Sequence, residues 1–274
     1  MRGDARYMGT FDEQIAELKH VTLDDVKRFH EQFYGADAGE LIAAGDFNRA
    51  ELQQAATQLL GGWRSRSPYL RMPTPYKQAE PMNRKIDTPD KQNAIFEAGL
   101  RFRLTEDDPD YPAMILANQM FGGSLGARMP NRIRNLEGLS YSVSSRLSVP
   151  IAGDGALFSA SAISAPQNTA KVESSFKDEL EKTLKSGFTA AEVATAKKAF
   201  HDQQMVARSQ EQLLLRTIVT RDQAGRTMKW DEQLEQKIQA LTPEQISAAF
   251  RKHVDPAALT IVKAGDWKAA GVYQ

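Results

Sequence analysis

Apolar residues recur at helical or strand spacing along most of the chain, and the interruptions divide it. Phe11, Ile15 and Leu18 share one helical face and predict a short helix over 12–19. Thr22 with Asp25 forms a capping pair, and the helix behind it carries Val26, Phe29 and Phe33 on its apolar side. Residues 40–44 read as a short strand, and Asn48 with Glu51 opens a further helix ending near Gly61. Residues 62–81 then bring four prolines and no sustained period. Proline removes a backbone donor and restricts its predecessor, so this stretch is expected to be an extended linker between domains.

Beyond the linker, residues 83–88 and 93–103 have strand character, the second apolar enough to be mostly covered. The acidic run before Tyr111 favours a helix N-terminus, and the helix it opens runs to about Phe121. An arginine-rich helix is expected over 128–136, then strands over 139–149 and 156–163 joined by a glycine-containing hairpin. Val172, Phe176, Leu180 and Leu184 recur every fourth residue, which predicts an amphipathic helix over 168–185 ended by Gly187. Thr189 with Glu192 starts a long helix through Phe200 and Val206. Helical character continues to about Thr220, with a break expected in the polar stretch 203–212.

The tail repeats an earlier pattern. Residues 21–47, VTLDDVKRFHEQFYGADAGELIAAGDF, align without a gap to residues 241–267, LTPEQISAAFRKHVDPAALTIVKAGDW, at an offset of 220. Thr22 matches Thr242, Val26 matches Ile246, and Ala44-Gly45-Asp46 matches Ala264-Gly265-Asp266, each followed by an aromatic residue. A constant offset across helix, strand and turn points to domain duplication. Residues 1–61 are then expected to be the tail of a first, truncated copy, and 82–274 a nearly complete second one.

Composition narrows the function classes. The 274 residues are 41% hydrophobic and 26% charged, as in an ordinary globular protein. Thirty-five basic residues balance thirty-five acidic ones, which gives no electrostatic case for nucleic-acid binding. Without cysteine there is no disulfide, thiolate nucleophile or cysteine-held zinc. No apolar run is long enough to span a membrane, and the first residues carry no signal-peptide core, so a targeting segment would lie upstream. The four histidines, His20, His30, His201 and His253, form neither HExxH nor HxxEH, so no metal site is expected on this chain. The GGSLG segment lacks the Lys-Ser/Thr sequel of a phosphate loop, and a helix-ending glycine turn accounts for it.

The remaining chemistry concentrates in Gln119–Ser144, QMFGGSLGARMPNRIRNLEGLSYSVS. Gly122, Gly123 and Gly138 are read as structural turns, the first two through backbone angles that other residues avoid. Arg128 and Arg132 are read as surface or packing residues. Arg134 and Tyr141 lie seven residues apart across a helix-to-strand turn, and guanidinium with phenol could orient a peptide carbonyl or carboxylate. The edge of the strand they flank, with Leu139, Ser140, Ser142 and Val143, could take up a peptide through main-chain hydrogen bonds.

Four pieces, FGGSLGARMPNRIRNLEGLSYSV, SGFTAAEVATAKKAF, TLDDVKRFHEQFY and the paired AGD turns, together resemble the insulinase/pitrilysin-like zinc metallopeptidases. That family includes the mitochondrial processing peptidases and bacterial zinc proteases. The resemblance implies an α+β fold of the metallopeptidase-like (LuxS/MPP-like) type. Its duplicated two-layer domains each pack a largely antiparallel sheet against helices. It also implies zinc in the complete enzyme, bound by an HxxEH motif and an acidic ligand in an N-terminal domain. Both are missing from this chain. Arg134 and Tyr141 match the arginine–tyrosine pair that the non-zinc half contributes to the cleft. The implied partners are a zinc-bearing domain or subunit and an unfolded peptide substrate, and the chain alone is expected to be inactive. A catalytically inactive structural or peptide-binding subunit remains the alternative, and the compartment stays open between bacterial periplasm and cytoplasm.

Overall fold

The computed structural model describes residues 6–272, so the outermost residues of both expected domains lie outside it. The chain separates into two compact units, one ending at Arg71 and one beginning at Met72.

The first unit holds three helices: α1 (Phe11–Leu18), α2 (Leu23–Phe33) and α3 (Arg49–Leu60). Thr10, Thr22 and Asn48 cap them by accepting hydrogen bonds from first-turn amides. None of its described residues is buried, and Val26, Phe29 and Phe33 all lie on the surface. Residues 40–44 form no strand. The expectation of one fails for a physical reason: a strand's amides must pair with a neighbouring strand, and no other extended ladder exists among the described residues of this unit.

The second unit is a five-stranded sheet of β1 (Asn83–Asp87), β2 (Ala94–Arg103), β3 (Ser140–Ser148), β4 (Gly155–Ser164) and β5 (Thr260–Gly265). The order is β1-β5-β2-β4-β3. Only β1 and β5 run parallel; the β2–β4 pair is antiparallel from Ala94↔Ser164 to Arg103↔Gly155. Alternation puts Phe96, Ala98, Leu100 and Phe102 of β2 on the core face and Ile95, Glu97, Arg101 and Arg103 on the other.

Helices cover the core face. Against the sheet lie α4 (Tyr111–Phe121), the single turn α5 (Arg128–Pro130), α6 (Thr169–Ser186) and α10 (Pro243–His253); α7 (Ala190–Ser209) and α9 (Met228–Ala240) pack on α4, and α8 (Glu211–Gln223) packs on α7. Phe121 of α4 meets Phe158, Phe176 and Phe250 at ring-centre distances of 5.8, 6.1 and 5.8 Å, which joins β4, α6 and α10 in one aromatic cluster. The long helical stretch does break, at Gln210 between α7 and α8. The arginine-rich helix is not a regular one. It makes one turn at α5 and then widens into a π-helix over Asn131–Leu136. The second half of the proline-rich stretch straps the β3–β4 connection: Thr74 N–H donates to Ala152 O and Gly155 N–H to Thr74 O, at 2.8 and 2.9 Å.

Candidate functional site: a cleft at the end of the edge strand

Two backbone irregularities place the side chains of interest. The π-helix buries Ile133 at its centre and leaves Arg134 on the outside. Gly138, at φ +63°, then reverses the chain in a left-handed conformation that glycine adopts without strain. Strand β3 follows at once, and its pairing slips: Ser140 faces Ser164 while Ser142 faces Ile163. Tyr141 is therefore the extra residue of a β-bulge and stands 72% exposed. A bulge re-aims the side chain it carries. Arg134 and Tyr141 line one cleft of about 460 Å³, together with Asn93, Gly138, Leu139, Ser140, Ile163, Ser164, Ala165 and Asn168. Neither the Arg134 nor the Tyr141 side chain has a hydrogen-bond or ionic partner among the described residues.

The neighbouring arginines are engaged. Arg128 grips Glu192 through Nε and Nη2 at 2.6 and 2.8 Å and also donates to the Gly187 carbonyl. Those bonds hold the Glu192 carboxyl down at about 2, against the opposing push of burial. Arg132 reaches Glu137 at 3.0 Å and Asp178 at 3.1 Å. The three arginines read from sequence thus divide into two that tie α5 and the π-helix to α6 and α7, and one that is uncommitted.

The strand residues fall into different places. Leu139 and Val143 turn into the core and are buried. Ser140 is buried as well, its hydroxyl donating to the Ile163 carbonyl. Ser142 alone of these four is exposed. What β3 offers a ligand is its main-chain edge, and that edge is partly closed. Ser145 N–H donates to Gly122 O at 2.9 Å, and outward amides alternate, so Val143 lies on the same open side two residues earlier.

This contact also explains Gly122, which the sequence places in a structural turn through backbone angles that other residues avoid. Its φ is −159°, which other residues adopt, but a Cβ there would lie 2.6 Å from Ser145 Oγ and 2.9 Å from Met129 Cε. Gly122 is needed for close approach to β3. Gly123 is likewise at negative φ, and its missing Cβ would meet Asn118 Nδ2 at 2.9 Å.

Among the described residues, the one group of metal-type ligand atoms within reach of each other is Asp108, Asp110 and His253. There the Asp110 carboxylate already accepts from Lys252 Nζ at 2.6 Å and holds His253 Nε2 at 2.9 Å. The His253 ring packs on Phe102, near the end of β2 opposite Asn93 and the cleft. His201 is bonded to Glu235 and His30 stacks on Tyr34 and Trp63.

The model of the peptidase M16 inactive domain matches residues 20–200. The chain belongs to that family. M16 is the insulinase-like group that the sequence motifs resemble. A solved peptidase M16 inactive domain from Pseudomonas fluorescens is 26% identical, with a TM-score of 0.74 over 90% of this chain and 58% of that one. A protease from Helicobacter pylori shares the fold at 15% identity, with a TM-score of 0.73, covering 92% of this chain and 60% of its own. The periplasmic protease PqqL from Escherichia coli shares it at 18% identity and a TM-score of 0.58, over 80% of this chain and 24% of its own. The chain thus spans less than two thirds of these relatives. No curated protein matches the sequence. The α+β architecture, with an antiparallel-rich sheet backed by helices, is the family's. No helix of the described residues is long and apolar enough to cross a membrane.

Asn93 and Asn168 were not singled out by sequence reasoning, which treats them as the starts of a strand and a helix. No local pattern marks them; the fold alone brings them to Arg134.

Proposed function

We propose that the chain forms the non-zinc wall of a peptidase cleft and holds an unfolded peptide there through Arg134, Tyr141 and the open edge of β3. The observation that carries this reading is the pairing of two uncommitted polar tips, each set by a backbone irregularity, on one cleft beside an unpaired strand edge. An extended peptide can add to that edge through main-chain bonds near Val143. The Arg134 fork and the Tyr141 hydroxyl then donate to a peptide carbonyl and favour the charge that develops on its oxygen. Zinc belongs to a domain or subunit outside this chain, so no hydrolytic step is assigned to the residues described here. In the same reading residues 1–61 are the end of a first repeat copy, 62–81 the linker and 82–274 the second copy. The rest of the first copy, or a partner subunit, covers the apolar face of α2.

The test is cleavage of a quenched-fluorescent unfolded peptide by the chain reconstituted with its zinc-bearing domain or subunit. Tyr141→Phe is expected to lower kcat by roughly a hundredfold with little change in KM, as for loss of one oxyanion donor. Arg134→Ala is expected to lower kcat/KM by a similar factor. Unchanged rates in both variants would remove their proposed roles. A second reading, a peptide-binding subunit without catalysis, is favoured by the family description as an inactive domain. Peptide binding with no cleavage in any reconstituted assembly would select it.

A further inference from the structure

The cleft around Arg134 differs in charge from three others among the described residues. Its lining holds no aspartate or glutamate. The cleft beside Arg101 contains Glu80 and Asp255, the one beside Arg128 contains Glu137, Glu179 and Glu192, and the one beside His201 contains Glu232 and Glu235. In those the positive groups have counter-charges at hand. Arg134 shares its cleft instead with neutral polar residues, among them Tyr141, Asn93 and Asn168.

The two asparagine carboxamides are uncommitted too. Asn168 precedes α6 as the last residue of a 3-10 turn, in a helical conformation at φ −89° and ψ −13°, and its side chain makes no capping bond. Neither Asn93 nor Asn168 has a side-chain partner among the described residues. Four unengaged polar tips therefore line one cleft, with a net charge contributed by a single guanidinium.

This set matches one ligand chemistry. A guanidinium presents two parallel N–H donors at the spacing of the two oxygens of a carboxylate. The remaining lone pairs of such a group can be met by a phenol O–H and carboxamide N–H donors. An ammonium would find no counter-charge here. We propose that this cleft is a carboxylate-binding subsite. The peptides this chain holds would then present an acidic group, a free C-terminal carboxylate or an Asp/Glu side chain, beside the start of β3. The inference rests on the peptide-binding reading and adds the ligand's chemistry to it.

The full chain can be titrated with three fluorescent pentapeptides: penta-alanine with a free carboxylate, the same peptide amidated, and amidated Ala-Ala-Glu-Ala-Ala. At low ionic strength an acidic peptide is expected to bind about tenfold or more tightly than the neutral amide, with the preference shrinking as salt rises. The two acidic peptides distinguish the terminal from the side-chain source. Arg134→Gln is expected to erase the preference. Asn168→Asp keeps the size of the side chain and breaks no capping bond, because Asn168 makes none, but sets a negative charge in the cleft, so it should fold normally and reverse the preference. Equal binding of acidic and neutral peptides, or a preference that survives both substitutions, would overturn the carboxylate subsite and leave peptide binding standing. A parallel titration follows the Arg134 side-chain NMR signal with acetyl-alanine and acetyl-alanine amide. A shift specific to the acid, with no pentapeptide binding, would uphold the subsite and sink the peptide-binding reading. The absence of any acid-specific shift would count against the subsite.

Discussion

Residues 21–47 and 241–267 begin alike. Thr22 and Thr242 each cap an eleven-residue helix, α2 and α10, with boundaries at the same offset. In both, the cap hydroxyl accepts from the third helical amide, at 3.2 and 3.3 Å, and that residue's side chain accepts from the cap amide, at 2.9 and 2.8 Å. From there the copies part. Ile246 and Phe250 of α10 are buried against the aromatic cluster, whereas Val26, Phe29 and Phe33 of α2 are bare. Residues 260–265 make β5, paired on both sides; residues 40–44 pair with no strand among the described residues. Trp267 is 3% exposed and donates to the Ile86 carbonyl at 2.7 Å, while Phe47 is 45% exposed. The lesson concerns where the hydrogen bonds go. A capped helix closes most of its backbone hydrogen bonds within itself, although a helix this short draws its stability from packing, whereas a strand's amides and an apolar face need something to meet.

The largest expected contrast is in amide exchange. Ile261, Val262 and Lys263 are expected to exchange at least roughly a thousandfold more slowly than Leu41, Ile42 and Ala43. Slow exchange at 41–43 would break the comparison by revealing a partner in solution. Next in size is the core. Ile246→Ala is expected to cost roughly 2–5 kcal/mol in urea unfolding, and Val26→Ala at the matching position under about 0.5 kcal/mol. Thr242→Ala is expected to cost about 1 kcal/mol of global stability. Thr22→Ala should reduce only the local helicity of residues 23–33, read from carbon chemical shifts, and leave the unfolding midpoint in place.

The smallest effect separates the helix ends. Burial pushes the Asp110 carboxyl up, but hydrogen bonds from Lys252 and His253 outweigh it and hold the group below its ordinary value. A depressed carboxylate adds stability above its unfolded value and loses it as pH falls through the folded one. The tie between α10 and α4 should therefore weaken below about pH 4. Asp110→Asn is expected to flatten that part of the stability–pH curve. The first copy has Gln32 and Phe33 at the matching positions and no such tether to lose.

What the sequence made legible follows the same division. The caps at Thr22, Thr189 and Thr242 were readable because their partners lie three residues away. The α6 stripe of Val172, Phe176 and Leu180 was readable as a period, and all three are buried. Helix α9 was missed although Trp230, Leu234 and Ile238 carry the same spacing, so a longer window over the tail would have found it. The strand expected over 40–44 failed because alternation describes a side-chain pattern and says nothing about whether a ladder partner exists. At the site, Arg128 and Arg134 could not be separated by local sequence alone, since the acid that occupies Arg128 lies 64 residues on. Neither the π-turn nor the bulge leaves a signature in residue type, and Asn93 with Asn168 reach Arg134 only through the sheet.

The bulge at Tyr141 bears on how such a chain can change over time. Because Tyr141 is the residue that the β3–β4 pairing skips, neither the register nor the core constrains what stands there. A lineage could gain, lose or regain the phenol at almost no cost to folding. Stability measurements would then be blind to the passage between a working cleft wall and a purely architectural one, and a well-folded relative is no guide to whether its site still serves.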